Sequence, residues 1–188
     1  MLLFNLKSLM LLQIGLYYFV WILSAYYARN EKLSGKIFYF FAFLILLAQV
    51  FLTHMSIQNP LYFYAKTLLL LSVGISFDFL FTILGFWEWA DTKTMRTKTI
   101  PSWLLILWMS FSISMQYLMI SMNIDFAVFL SLGLMGGLGF PLTYFFAQRI
   151  NVLIVKKSLR AYLYQGLFWA AVLPFILYPS AIKGLGLQ

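Results

Sequence analysis

The chain has 188 residues, of which 63% are hydrophobic, 20% aromatic and 10% charged, and its mean hydropathy is +0.91. An ordinary soluble domain is about 45–50% apolar and about 25% charged, so the polar surface needed to wet a globule of this size is missing and the chain reads as an integral membrane protein. This excludes a disordered chain, a disulfide scaffold, since there is no Cys, and a nucleic-acid module, because a net charge of +8 would act from a body confined to the bilayer.

Zero Cys also removes thiolate catalysis, Cys-ligated zinc and iron–sulfur chemistry, and the single His54 removes His-rich iron sites and most zinc sites. No metal is expected, and no cofactor class is legible. A membrane-spanning helix needs about 20 apolar residues, because about 30 Å of hydrocarbon is crossed at about 1.5 Å per residue. Six stretches meet that need: 9–28, 37–54, 67–87, 102–122, 126–148 and 162–182. The loops between them are short, so one all-α, six-helix transmembrane domain is expected, with helix 3 central and helices 4 and 5 packed against it.

Lys7 before the first apolar run resembles the start of a signal peptide. The run exceeds the usual length of about 7–15 residues, and Ser24-Ala25-Tyr26-Tyr27-Ala28 lacks a small-x-small cleavage site, so an uncleaved span is expected. Basic residues are retained on the cytoplasmic side. Ten follow helices 1, 3 and 5 (Arg29, Lys32, Lys36, Lys93, Arg96, Lys98, Arg149, Lys156, Lys157, Arg160), against Lys7, Lys66 and Lys183 on the other side. Both termini are therefore expected outside. Tyr26, Tyr27, Trp87, Trp89, Trp103, Tyr162 and Tyr164 fall at the cytoplasmic boundary, and Tyr62, Tyr64 and Tyr178 at the other, as interfacial anchors.

Helix 3 carries an acid, Asp78, one residue from the centre of the 67–87 span. At about 100° per residue, Thr67, Gly74, Asp78, Thr82 and Gly85 fall within roughly 80° of one another, away from Phe77, Phe79 and Phe81. A carboxylate at that depth costs several kcal/mol unless paired or neutral. Lys66 is 12 residues away, about 18 Å along the axis, so the expectation is a neutral, protonated carboxyl held by hydroxyl or amide partners: Ser112, Ser114 and Gln116 on helix 4, and Gln49 on helix 2. Such a group suits a proton-carrying or headgroup-binding site; the bland alternative is an interhelical hydrogen bond.

Helix 5 reads Gly133-Leu134-Met135-Gly136-Gly137-Leu138-Gly139-Phe140-Pro141. Gly133 and Gly137 form a GxxxG pair suited to close helix packing, and Pro141 withholds the hydrogen bond due to the Gly137 carbonyl, so a kink or break is expected. A broken helix would expose backbone groups to a substrate cavity. Pro174 marks a second kink in helix 6, where Gln165 and Trp169 share a face. Glu88 and Asp91 are expected to be solvated charges beside Lys93 and Arg96 rather than a cation site, and His54 a boundary residue. The basic loops suit anionic headgroups, as the topology alone requires.

Gly74 and Asp78 with Leu80 and Gly85, Pro101-Ser102-Trp103-Leu104 with Leu107-Trp108 and Phe111, Gly139-Phe140-Pro141-Leu142-Thr143-Tyr144 with Arg149, and Trp169 with Pro174 together resemble the Domain of Unknown Function 2878 family. The resemblance covers roughly residues 61–178; where that family tends to an Asn-containing turn of helix 4, this chain has Ser114-Met115-Gln116-Tyr117. It implies a small, multi-pass bacterial inner-membrane protein without an established activity. It also implies a gene neighbourhood of cyclopropane-fatty-acid-synthase-like enzymes and flavin oxidoreductases.

The function expected from these readings is an accessory factor in membrane-lipid or fatty-acid modification. Its partners would be the lipid bilayer and lipid-modifying enzymes, with no nucleic acid. A small proton-coupled transporter or lipid translocator using Asp78 is the first alternative. An intramembrane lipid-modifying enzyme is the second, and is the less supported because one buried acid lacks a nucleophile, a metal set or a second acid.

Overall fold

The first two helices, α1 (Leu6–Arg29) and α2 (Gly35–His54), are apolar on nearly every face, the pattern of a helix whose solvent is lipid rather than water. In the computed structural model, which describes residues 6–29, 35–54, 57, 59–91, 95–97, 100–120 and 126–184, they are followed by α3 (Pro60–Ile83), a strand pair β1 (Trp87–Asp91) and β2 (Met95–Thr97), and α4 (Ser102–Ile120). Then come α5 (Phe126–Leu134), a π-helical turn (Met135–Gly139), α6 (Phe140–Arg149), β3 (Leu153–Val155) and α7 (Ser158–Gly184). Because α5, the π turn and α6 run on continuously, the described residues form six long helical rods. Five of these are long and apolar enough to cross a membrane, and the sixth, α7, has 27 residues. The protein is an all-α polytopic bundle. Its outer surface is set with Phe41, Phe51, Leu61, Leu138 and Phe175, all exposed, as lipid-facing side chains should be.

Helix α3 differs from the expected 67–87 span at both ends. It starts at Pro60, whose fixed φ suits a first helical position, behind an Asn59 side chain that accepts from the Tyr62 N–H at 3.1 Å. It stops at Ile83 because Gly85 adopts φ +71°. The Gly85 N–H donates to the Thr82 carbonyl at 3.1 Å and the Phe86 N–H to Phe81 at 2.9 Å, the paired bonds of a Schellman cap. The expected placement of Gly85 on the inward stripe is thereby corrected: it is the cap residue. Asp78 consequently lies past the midpoint of α3 by roughly 10 Å toward its C-terminal end.

The same device ends α6. Asn151 takes φ 57°, with Asn151 N–H donating to Gln148 at 3.0 Å and Val152 N–H to Ala147 at 2.9 Å. The two caps launch β1 and β3, which pair antiparallel with Trp87 opposite Val155 and Trp89 opposite Leu153. With β2 on the other edge, the order is β2-β1-β3. This small sheet closes one end of the bundle. It was not anticipated from sequence, where Trp87 and its neighbours read as the end of a helix.

Helix α4, rather than α3, sits at the centre, packing on α1, α2, α3 and α7. The π turn and α5 pack on α7 through glycine. Gly136 lies so close that a Cβ there would stand 2.2 Å from the Trp169 carbonyl oxygen, and a Cβ on Gly166 would stand 2.7 Å from the Gly137 carbonyl oxygen. No break occurs at Pro141, since Leu134, Gly139 and Phe140 all keep helical φ and ψ. In a π turn a carbonyl bonds five residues on instead of four, which suits a Gly137 carbonyl that faces a proline four residues ahead.

Candidate functional site

Asp78 is wholly buried, and its carboxyl group is gripped by two aromatic side chains from different helices. The Trp108 indole Nε1 of α4 donates to Oδ2 at 2.7 Å, and the Tyr144 hydroxyl of α6 donates to Oδ1 at 2.6 Å. One turn before Asp78, Gly74 makes room for the indole: a Cβ there would stand 2.5 Å from the Trp108 ring carbons. The small residue and the acid on one face of α3 therefore act together, the first admitting the ring and the second receiving its N–H. Trp108 also lies nearly parallel to Phe140 and Trp169, at interplanar angles of 18° and 25°, and these two rings stack on each other, so the donor ring is backed by a stacked pair.

A second bond chain leads to the sheet. Thr82 donates its hydroxyl to the Asp78 carbonyl at 2.7 Å and accepts from Trp89 Nε1 of β1 at 3.1 Å. Phe77 and Phe81, expected to point away from the inward stripe, are buried with it. They pack against Phe168, Trp169 and Trp87, because α3 is covered by α7 as well as α4; Phe79 is exposed to the outside.

Beside this site a cavity of about 300 Å³ lies between α1, α4, the π turn with α6, and the sheet. Along α4 it runs from Trp103 to Leu118, about 22 Å of helix. Its walls are apolar and aromatic, with the hydroxyls of Ser24, Ser114 and Thr143 among them, and none of its lining residues is charged. Trp108 and Tyr144 belong to the wall, so the two rings that hold Asp78 also separate it from the cavity.

The remaining candidates fall elsewhere. Gln49 and Ser114 belong to a separate polar cluster with Gln13 and Thr53: Gln49 Nε2 donates to Ser114 Oγ at 2.9 Å, and Gln13 Nε2 donates to the Gln49 carbonyl and to Thr53 Oγ1, each at 3.0 Å. Ser112 and Gln116 are buried, with side-chain polar atoms that make no hydrogen bond among the described residues; neither is a partner of Asp78. Gln165 is buried in the same condition, and so is the Trp169 indole N–H.

Gly133 and Gly137 both face Ala170, with Pro174 also beside Gly133 and Pro141 beside Gly166, while Gly139 meets only Met135. Glu88 pairs with Lys156 across the sheet. His54 is exposed at the end of α2. No group of three or more metal-ligating side chains occurs among the described residues. The side chains of Asp91, Arg96, Tyr178 and Lys183, and the residues Lys32, Lys93 and Lys98, lie outside the described set.

Sequence reasoning missed Trp108 and Tyr144 because it sought Ser and Gln partners for Asp78 on helices 2 and 4. A usable signal existed. Each is an aromatic residue with a donor at its tip, Trp108 six residues inside the expected 102–122 span and Tyr144 four residues inside the expected 126–148 span.

The profile of a family described as a protein of unknown function (DUF2878) matches residues 10–175. No curated protein and no solved structure matches.

Proposed function

The chain belongs to the DUF2878 family of proteins of unknown function, and we propose that it holds the apolar chain of a membrane lipid and serves as an accessory factor in membrane-lipid or fatty-acid modification. The observation that carries this reading is the cavity along α4. A site of about 300 Å³ lies within the range of small-molecule pockets, and its uncharged, aromatic walls suit a hydrocarbon chain better than a polar metabolite. It lies among helices long and apolar enough to cross a membrane, where lipid chains are the surrounding solvent. The host membrane in this reading is the bacterial inner membrane. The basic residues at the sheet end support a cytoplasmic setting for that end, with both termini outside.

A phospholipid with a photoactivatable acyl chain tests the proposal. Labelling of α1, α4 and α6 residues that line the cavity is the expected result, and labelling confined to the outward Phe41, Phe51 and Leu61 would overturn it. For the accessory role, a deletion strain should show altered fatty-acyl composition. An unchanged lipid profile across growth conditions would count against that role.

One contact favours a second reading, that of a proton-coupled transporter or translocator. Tyr144 both lines the cavity and bonds Asp78, so the acid lies one side chain away from the cavity. That reading requires proton-coupled flux in proteoliposomes that Asp78→Asn abolishes in a folded protein; flux unaffected by the substitution removes Asp78 as the carrier.

A further inference from the structure

A second concavity lies on the outer face of the bundle, where α3 meets α7. Phe77 of α3 and Phe168 of α7 stack there at 4.5 Å and form its floor. Its rims are the row Ser72, Ser76, Leu80 and Leu84, spaced four residues apart, and Tyr164 of α7. All five rim residues are exposed, so this groove of about 690 Å³ opens onto the surface that faces lipid. From Ser72 to Leu84 it follows the chain for about 18 Å, slightly more than one leaflet of a hydrocarbon core of about 30 Å.

The groove is apolar along its length and basic at one end. At the sheet end it is bounded by Phe86, and the Lys157 ammonium stands 5.5 Å from the centre of that ring. The backbone fixes this placement, since the Lys156 N–H donates to the Phe86 carbonyl at 2.8 Å. Arg160 precedes Tyr164 by one turn of α7, a spacing that puts the two on one face, and Tyr164 meets the Phe86 ring at 5.8 Å. Lys157 and Arg160 are both exposed. Neither forms an ion pair among the described residues, where Glu88 pairs with Lys156 instead, and the first turn of α7 holds no acid. Basic residues at this end follow from topology alone. Topology does not require two of them, uncompensated, at the end of an apolar groove one leaflet deep.

We propose that the groove between α3 and α7 seats an anionic phospholipid of the leaflet on the sheet side, with an acyl chain against Phe77 and Phe168 and the phosphate held by Lys157 and Arg160. A zwitterionic lipid carries its own ammonium beside the phosphate and gains less from the two cations. The groove shares no lining residue with the cavity along α4, so the site does not depend on chain binding there.

The test uses the protein in phosphatidylcholine vesicles that contain an equal small fraction of phosphatidylglycerol or phosphatidylcholine bearing a photoactivatable acyl chain, with labelled positions mapped by peptide mass spectrometry. Labelling at Leu80, Leu84 and Tyr164 is expected to be about fivefold higher from phosphatidylglycerol. Lys157→Gln combined with Arg160→Gln, both at exposed positions, should reduce that preference to about twofold or less while labelling from phosphatidylcholine persists. Ser76→Phe, which fills the groove from its rim, should lower labelling at Leu80 from both lipids and leave labelling at Phe51 unchanged. A preference as large at Phe41, on the outer face of α2, would reveal a general attraction to the basic end and overturn the site. A preference retained in the Lys157 and Arg160 double variant, or labelling at Leu80 unchanged in Ser76→Phe, also overturns it. Soluble glycerophosphate is expected to suppress the preference no more than sodium chloride at equal ionic strength; stronger suppression would assign the basic end to a soluble phosphate and overturn the lipid. Labelling at Phe140 reports the cavity separately, so either site can fail alone.

Discussion

At Gly74 the absence of a single carbon decides how Asp78 is held. Ala at this position would put a Cβ 2.5 Å from the Trp108 ring, and the ring cannot retreat because Phe140 and Trp169 lie against it. We expect Gly74→Ala to destabilise the bundle by about 1–3 kcal/mol, the usual cost of overpacking, measured as a shift in the midpoint of unfolding in mixed micelles; a shift within error would show that the indole relocates freely. The two donors can be weighed separately. Trp108→Phe and Tyr144→Phe each remove one bond to the carboxyl group, worth about 0.5–2 kcal/mol between membrane helices. Since both bond one carboxyl group, the double substitution should depart from the sum of the single ones. Strict additivity across that cycle would mean that the two bonds do not communicate through Asp78.

Between elements, spacing is set by backbone approach rather than by side-chain volume. Gly133 and Gly137 are legible as a small-residue pair, but the tightest contact in the rod belongs to Gly136, against the backbone of Trp169. The reason is the π turn, which shifts the register after Leu134 in a way that a fixed 3.6-residue period does not anticipate. Gly136→Ala should therefore separate α7 from the rod and lower the unfolding midpoint sharply, by about 2 kcal/mol or more. Gly139→Ala, whose Cβ would meet only Met135 Cγ at 3.6 Å, should be nearly neutral. Equal effects of the two would remove the backbone-contact argument. Gly85 and Asn151 set the lengths of α3 and α6 by a similar economy, each taking a positive φ that ends a helix and aims the next residues into a strand.

For the molecule as a whole, the pairing of β1 with β3 brings the ends of α3 and α6 and the starts of α4 and α7 to one end. The start of α2 joins them there through the hydrogen bond between Tyr39 and Ser102. The loops that carry most of the basic residues therefore share one end, as the alternation of spans in the sequence requires. Reporter fusions at 93–98 and near 152 should report the same side, with fusions ahead of α1 and after α7 on the other. Opposite sides for the two loop fusions would break the sheet and the topology together. The aromatic boundary is likewise legible in level but not in direction. Trp87, Trp89 and Trp103 stand at the expected end, yet all are buried, whereas Tyr26 and Tyr164 face outward as anchors do.

By itself, the sequence determined that this chain is an all-α membrane bundle, where its long rods lie, and that Asp78 is its exceptional group. Those conclusions follow from transfer free energies, which depend on residue type and run length alone. Only the tertiary structure decided which groups meet Asp78, that α4 is the central helix, and that three Trp turn inward to close one end. Each of these depends on rotations and approaches of helices relative to one another. Those are set by steric fit at a few positions such as Gly74 and Gly136, and the hydropathy of a bundle apolar on almost every face does not encode them.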